Sequence, residues 1–338
     1  MLSSLVQPGS GSASVAEALG AELREVEEIF ERQLASDLPA VNALCRHVER
    51  YRGKMLRPTL VLLTGMALRE GVGGGNGLGP PSQAHRVVAA VVEMIHMATL
   101  VHDDVLDEAE VRRQGATVNH LRGNEVAVML GDFLISNAFH LCSTLGDPAI
   151  NLFLGQTTNT LCEGELVQLH HRENLSLDEA TYFEIVRRKT AVLVGACCRL
   201  GATLAGASPR IVESMRGFGT CLGVAFQIQD DLLDLAGRPQ VVGKTLGRDL
   251  EKGKLTLPLI LHLARVSPRE RSEAIELIER RDASSLLARL LADGAVDQAR
   301  QRAVALVEEG KRELLAIAPS PARDLLSAMA DAVIARDA

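Results

Sequence analysis

Apolar residues recur at helical spacing along nearly the whole chain. Between 15 and 34 they fall at Val15, Leu19, Leu23, Val26, Ile29 and Phe30 with charges between them, the stripe an amphipathic helix needs. Pro58 suits the first turn of the next helix, where a missing N–H costs nothing, and that helix runs to about residue 69. The stretch 59–68 has the length of a buried helix, and no run reaches 18 apolar residues, so no transmembrane span is expected. Residues 71–81 (GVGGGNGLGPP) read as a surface loop, because the helices on both sides are apolar enough to share one core. Ser82 precedes a long apolar helix that ends near Asp107. Further helices are predicted at 124–145, closed by Asp147-Pro148, and at 149–169. Ser176 with Glu179 has the form of a capping box opening a helix over 177–205. Pro209 starts another that continues through Asp234, and the Gly-rich, charged stretch 237–254 reads as a loop. Helix returns at 255, with shorter amphipathic helices over 268–338. No strand of any length and no fixed-period repeat is visible. The pattern predicts an all-α fold, a single large helical domain at 15–338 behind a flexible Ser/Gly-rich segment at 1–14 without the marks of a leader peptide.

Composition narrows the function classes. Of 338 residues, 47% are apolar and 23% charged, enough for a large core. The net charge of −7 leaves no cationic excess for a nucleic-acid backbone, and 3% aromatics with no Trp leave few stacking platforms. Nucleic acid is therefore not an expected partner. The six cysteines form no C-x-x-C pair, which fits reduced thiols in the cytoplasm better than zinc ligands or disulfides.

Two segments carry the chemistry. Asp103-Asp104-Val105-Leu106-Asp107 and Asp230-Asp231-Leu232-Leu233-Asp234 both read D-D-x-x-D, and both follow long apolar runs. Residues four apart share a helix face, so Asp103 stands over Asp107 and Asp230 over Asp234. Like charges at that spacing repel, and an apolar flank raises the cost. A solvated helix end would explain one such cluster; two copies call for a shared cation. An all-oxygen donor set favours Mg²⁺, which is held by a few carboxylates together with substrate phosphates. Two carboxylate walls facing each other thus predict a phosphate-bearing substrate between them. Lys54 and Arg57, in Gly53-Lys54-Met55-Leu56-Arg57-Pro58, stand on a turn at a helix start, which suits an anion. Arg112 and Arg113 follow the first acidic cluster; Lys189 with Thr190, Lys244 and Lys254 are further candidates. Each basic residue alone reads as a solvated charge, and His96 alone as a packed core histidine.

At this point the chain resembles the trans-isoprenyl diphosphate synthases, or polyprenyl synthetases, from about residue 15 to its end. The likeness rests on both aspartate motifs, the Gly-Lys-x-x-Arg-Pro element, Ile95-His96 ahead of Leu100-Val101-His102-Asp103, and Arg112-Arg113. It continues through Gly131-Asp132-Phe133-Leu134, Glu163-Gly164-Glu165 with Gln168, Lys189-Thr190, and Phe226-Gln227-Ile228-Gln229 before Asp230. Long-chain members of the octaprenyl diphosphate synthase type are most like it. The resemblance implies a helical bundle around a central cavity, as in isoprenoid synthases. It also implies a Mg²⁺-dependent condensation of isopentenyl diphosphate with an allylic diphosphate, with several ions per active site. Asp103 and Asp107 would ligate metal with Asp104 in support, and Asp230, with Asp231 and Asp234, would hold another ion. Lys54, Arg57, His96 and Arg113 match the isopentenyl diphosphate site. Arg112, Lys189, Thr190, Gln227, Lys244 and Lys254 match contacts to the allylic diphosphate. The family usually has Gly-Gly-Lys-Arg-x-Arg-Pro; here Arg52 replaces the first Gly and Met55 the first Arg.

The resemblance further implies a homodimer, and an apolar product for delivery to a membrane. Short-chain relatives carry bulky aromatics one turn below the first motif; here Ala98 and Thr99 are small, so a long chain is expected to pass. Ile95 and Val92 would line its path, and Phe153 or Leu154 is a candidate floor. Three other readings compete: a short-chain synthase making farnesyl or geranylgeranyl diphosphate, a terpene cyclase, and a non-catalytic partner subunit. The cyclase reading is opposed by the intact second D-D-x-x-D and by Lys54 and Arg57, and the partner-subunit reading by retention of all six aspartates.

Overall fold

The computed structural model describes residues 11–49, 53–70, 81–113, 115–236 and 247–335. The elements run α1 (Gly11–Leu34), α2 (Pro39–Glu49), α3 (Leu56–Glu70), α4 (Gln83–Leu106), β1 (Val111–Arg112), β2 (Gly115–Ala116), α5 (Val118–Arg122), α6 (Asn124–Ser143) and α7 (Pro148–His170). They continue with α8 (Glu179–Val186), a π-helical turn (Arg187–Ala191), α9 (Val192–Leu204), α10 (Pro209–Ala236), α11 (Arg248–Glu251) and α12 (Leu257–Arg265). The last are α13 (Pro268–Glu279), α14 (Ala283–Ala292), α15 (Ala295–Glu313) and α16 (Pro321–Ile334). Among the described residues the fold is all-α save for one antiparallel pairing of β1 with β2, Val111 opposite Ala116.

The chain divides into two compact units. Unit 1 comprises Met1–Thr158, Ala196–Arg216 and Leu314–Ala328; unit 2 comprises Asn159–Gly195, Gly217–Glu313 and Met329–Ala338. In unit 1, α4 packs against α1, α3 and α6. Its residues from Val87 to Ile95 are all buried, as expected of a helix apolar on every side. Ser82 caps it, with the His85 ring 2.7 Å from the Ser82 hydroxyl and 3.1 Å from the Gly201 carbonyl. Gly65 of α3 lies so close to that ring that a Cβ would stand 2.6 Å from it. In unit 2, the apolar α12 packs against α15, α8 and α14.

Several expectations are corrected. Ser176 does not cap the helix after α7; the Asp178 side chain accepts from the Thr181 N–H, and helix begins at Glu179. The predicted single helix over 177–205 is α8, a π turn and α9. A short hairpin appears where no strand was expected, and α2 and α5 were not foreseen. Within 237–254 the described part includes the short helix α11; residues 237–246 lie outside the described residues, as do 1–10 and 71–80, to which the N-terminal and loop expectations mostly refer. By length and composition alone α4 and α6 are both apolar enough to cross a membrane, which does not overturn the expectation of no transmembrane span. The most apolar window of α4 is 72% buried inside the protein, as in a core helix, whereas that of α6 is 39% buried.

Candidate active site

In unit 1 the first acidic motif closes α4. The Asp107 N–H donates to the Asp103 carbonyl at 2.8 Å, and the Ala109 N–H to the Asp104 carbonyl at 2.9 Å. Asn119 Nδ2 donates to the Asp104 and Ala109 carbonyls, both at 3.1 Å, and the Thr117 hydroxyl donates to the Ala109 carbonyl. The helix end and the hairpin after it are therefore one fastened piece. Asp103 and Asp107 are half-buried, as the i, i+4 register predicts for carboxylates sharing a face. Asp104, one position round the helix, is 1% exposed and is gripped by Arg112, whose Nε and Nη2 lie 2.8 and 2.7 Å from its Oδ1. Arg112 is thus held in place by the motif it follows. His102, beside the motif, approaches Asp132 at 3.5 Å and the Val128 carbonyl at 3.2 Å. A Cβ at Gly131 would overlap its ring, which is the physical content of the Gly131-Asp132 pair.

A cationic cluster stands on the same unit. Glu93, His96, Asp103 and Asp107 recur at three- to seven-residue steps along one face of α4. Glu93 is 2% exposed, and its charge opposes the desolvation that depresses the Arg57 guanidinium. Arg57 Nε is buried without a hydrogen-bond partner. The Arg113 guanidinium lies against Gly53, where a Cβ would come within 2.5 Å of it. Desolvation, then the Arg57, Arg113 and Arg112 charges, hold the His96 pKa well below the ordinary imidazole range, so the ring is neutral at neutral pH. Lys54 is exposed. Met55, where the family usually has Arg, is buried at φ 50, and Arg113 has φ 48. A left-handed backbone at a non-glycine residue costs about 1–3 kcal/mol, and such strain persists where the surroundings over-determine it. Ala98 is fully buried, and the half-buried Thr99 returns its hydroxyl to the His96 carbonyl at 2.8 Å.

In unit 2 a pocket of about 120 Å³, open to solvent, is lined by Gln168, His171, Arg172, Tyr182, Lys189, Thr190, Gln227, Asp231, Asp249 and Lys254, with Leu177, Ile185, Val186 and Leu255 as its apolar part. Lys189 and Thr190 lie on the π turn, a distortion common at functional positions. Gly164 admits it: a Cβ there would stand 2.5 Å from the Lys189 backbone nitrogen. The neighbours of that glycine hold the turn, Glu163 pairing with Arg188 at 2.5 Å and Glu165 with Lys189. From the turn, Thr190 Oγ1 donates to Gln227 Oε1 at 3.0 Å, and Gln227 Nε2 donates to Asp231 Oδ1 at 2.9 Å. The Tyr182 hydroxyl donates to Asp231 Oδ2 at 2.6 Å. Asp231 is 5% exposed; burial, then the nearby Asp249 charge, pushes its pKa up to about 8. Asp230 and Asp234 are half-buried on α10 and do not line the pocket. The Asp249 N–H donates to Asp234 Oδ2 at 3.1 Å. Lys244 lies outside the described residues.

Among the described residues, no three His, Cys, Asp or Glu side chains converge into a preformed metal site. The pairs Asp103/Asp107 and Asp230/Asp234 are nonetheless oxygen-only donors at one-turn spacing on apolar helices. They fit Mg²⁺, whose coordination is usually completed by water and phosphate oxygens. Sequence reasoning missed Glu93, His171, Arg172, Tyr182 and Asp249. Glu93 could have been found from its seven-residue-plus-three spacing to Asp103; the pocket residues had no sequence signal, because distant segments bring them together.

The family profile described as polyprenyl synthetase matches residues 39–293. The octaprenyl diphosphate synthase of Escherichia coli (strain K12) is 33% identical over 309 residues, 90% of this chain and 93% of that protein. The short chain isoprenyl diphosphate synthase of Methanothermobacter thermautotrophicus is 33% identical over 329 residues, 93% and 98% of the two chains. A solved polyprenyl synthase from Caulobacter crescentus, complexed with calcium and isoprenyl diphosphate, aligns at TM-score 0.86 and 32% identity, covering 98% of this chain and 100% of that one.

Proposed function

This chain belongs to the polyprenyl synthetase family and is a prenyltransferase of isoprenoid biosynthesis, and from that premise we propose that it condenses isopentenyl diphosphate with an allylic diphosphate to build a medium- or long-chain trans-polyprenyl diphosphate. The observation that carries this reading is the pair of D-D-x-x-D helix ends, each with two half-buried carboxylates one turn apart and one buried carboxylate beneath.

Arg57, Arg113, Lys54 and the neutral His96 would bind isopentenyl diphosphate: Arg57 Nε is a buried donor for a phosphate oxygen, and an uncharged ring adds no further positive charge. Arg112, Lys189, Thr190, Gln227, Lys254 and Lys244 would bind the allylic diphosphate. Mg²⁺, on which the family depends in general, would bind Asp103, Asp107, Asp230 and Asp234, with Asp104 and Asp231 in support, and make diphosphate a better leaving group. The apolar α4 excludes water from the allylic cation left after C–O cleavage. The isopentenyl double bond then attacks, and released diphosphate takes the proton.

Small residues at Ala98 and Thr99 support the longer product, and a short-chain relative at the same identity keeps a short-chain synthase as the alternative. Phe153, the candidate floor, is stacked by the Arg199 guanidinium at 4.3 Å, and Leu154 is fully buried. A cytoplasmic homodimer belongs to the same reading. It is supported by six free cysteines and by the exposed apolar positions of α6. The test is incubation of purified protein with labelled isopentenyl diphosphate and allylic primers, with chromatography of the products. Products of thirty carbons or more are expected for the wild type, and shorter ones for Ala98→Tyr. A wild-type product of fifteen or twenty carbons selects the short-chain alternative, and no condensation at all sinks both.

A further inference from the structure

We propose that His171 and Arg172, just after α7, form a further wall of hydrogen-bond donors in the unit 2 pocket and grip the diphosphate of the allylic substrate. This rests on the reading of that pocket given above. Both side chains line it together with Lys189, Thr190 and Lys254. The backbone holding them is clasped to the segment that carries Lys254: the Glu173 N–H donates to the Gly253 carbonyl at 2.8 Å.

The clasp puts both partners in the left-handed region, which glycine adopts freely and Glu173 does not. Glu173 has φ 64 and Gly253 φ 68, and a Cβ on Gly253 would stand 2.7 Å from Glu173 Cγ. A non-glycine residue keeps a left-handed backbone only where its surroundings hold it there, and such positions gather at ligand clamps. On the His171 side, the ring is steadied by Asn174, whose Nδ2 lies 2.9 Å from Nδ1. The chemistry of the lining supplies the ligand class. Cations from two loops and the π turn surround a pocket that also holds the carboxylates of Asp231 and Asp249. The basic side of that lining fits a polyanion, with Leu177, Ile185, Val186 and Leu255 on its apolar side, and a guanidinium fork suits adjacent phosphate oxygens.

The experiment titrates the full-length chain with inorganic diphosphate in the presence of Mg²⁺ and measures steady-state kinetics for both substrates. Arg172→Gln is expected to weaken inorganic diphosphate about tenfold, the loss of one charge-assisted contact. The KM of the allylic substrate should rise by a like factor, with that of isopentenyl diphosphate changed less than about twofold. Arg172→Lys should recover part of the loss, and Gly253→Ala, which breaks the clasp, should reproduce it. Unchanged diphosphate affinity in Arg172→Gln, or an equal rise in both KM values, overturns the proposal. If Arg172→Gln melts at a lower temperature than wild type, His171→Gln takes its place: a loss confined to the allylic side supports the wall, and no loss overturns it. A wild type that binds inorganic diphosphate through Arg172 but condenses nothing rejects the prenyl-transfer reading and leaves the wall standing. An active wild type with unaltered Arg172→Gln does the reverse.

Discussion

The middle aspartate of each motif differs from its neighbours in a way the letters D-D-x-x-D do not reveal. Asp104 is 1% and Asp231 5% exposed, while the flanking aspartates are half-buried. The cause is helix phase. Positions i and i+4 share a face, and i+1 lies about 100° round, toward the core. The sequence therefore located both acidic ends but could not say which carboxylate each helix buries, nor that Arg112 and Tyr182 would receive them. Tyr182→Phe removes the O–H that fixes Asp231 Oδ2 and leaves a buried acceptor short of a donor. An increase in the Mg²⁺ concentration needed for half-maximal activity, by about tenfold, is expected; an unaltered magnesium titration would remove Asp231 from the metal site's support. The arginines divide similarly. Arg57→Ala or Arg113→Ala should raise the KM of isopentenyl diphosphate by about tenfold to a hundredfold, and Arg112→Ala that of the allylic substrate. Because Arg112 also neutralises Asp104, its removal leaves a buried carboxylate uncompensated, so a lower melting temperature is expected for that variant. Equal effects of all three on both substrates would reject separate sites.

At the scale of the element, the long helices were legible to within a few residues because their apolar stripes are continuous: α1, α4, α6, α7 and α10 all begin or end near the expected positions. What was not legible depends on contacts from elsewhere in the chain. The π turn at Arg187–Ala191 is accommodated by Gly164 under the Lys189 backbone, a contact from far back in sequence. Gly164→Ala would press a methyl onto a backbone atom, which cannot swing aside. A destabilisation of about 1–3 kcal/mol by denaturant titration is expected, with weaker allylic binding; full stability would show that the turn yields easily. His85 makes a second element-scale prediction. Burial is the first cause that lowers its pKa to about 4, from 6.5. The folded state holds the ring neutral, while the unfolded chain takes a proton near 6.5. Stability present above 6.5 is therefore lost as pH falls toward 4, by about 3 kcal/mol. Unfolding free energies at pH 7 and pH 4.5 should fall further apart in wild type than in His85→Gln. Equal gaps would assign the acid sensitivity to other groups.

For the whole molecule, the informative surface is that of α6. Its most apolar window matches that of α4 in hydropathy, 1.4, yet is 39% rather than 72% buried. A core helix that apolar would be enclosed, so α6 displays more apolar surface than unit 1 alone covers. Val128 is 40% and Met129 65% exposed, and Phe133, Ile135 and Phe139 are only half-buried. Membrane insertion is opposed by Asp132 on the same helix, 58% exposed at its side chain, since a carboxylate in the hydrocarbon region costs several kcal/mol. A second copy of the chain is the better cover: a protein–protein interface tolerates charge at its rim and buries apolar groups at its centre. Light scattering at micromolar concentration should give twice 36.3 kDa. Met129→Glu and Val128→Glu place charge in that centre and should shift the mass toward the single chain, without loss of helical signal. A wild type of single mass, or charged variants that remain double, would place the interface elsewhere or remove it. If activity falls together with the dimer on dilution, the active site depends on the partner copy; activity that persists in the separated chains would make each chain sufficient.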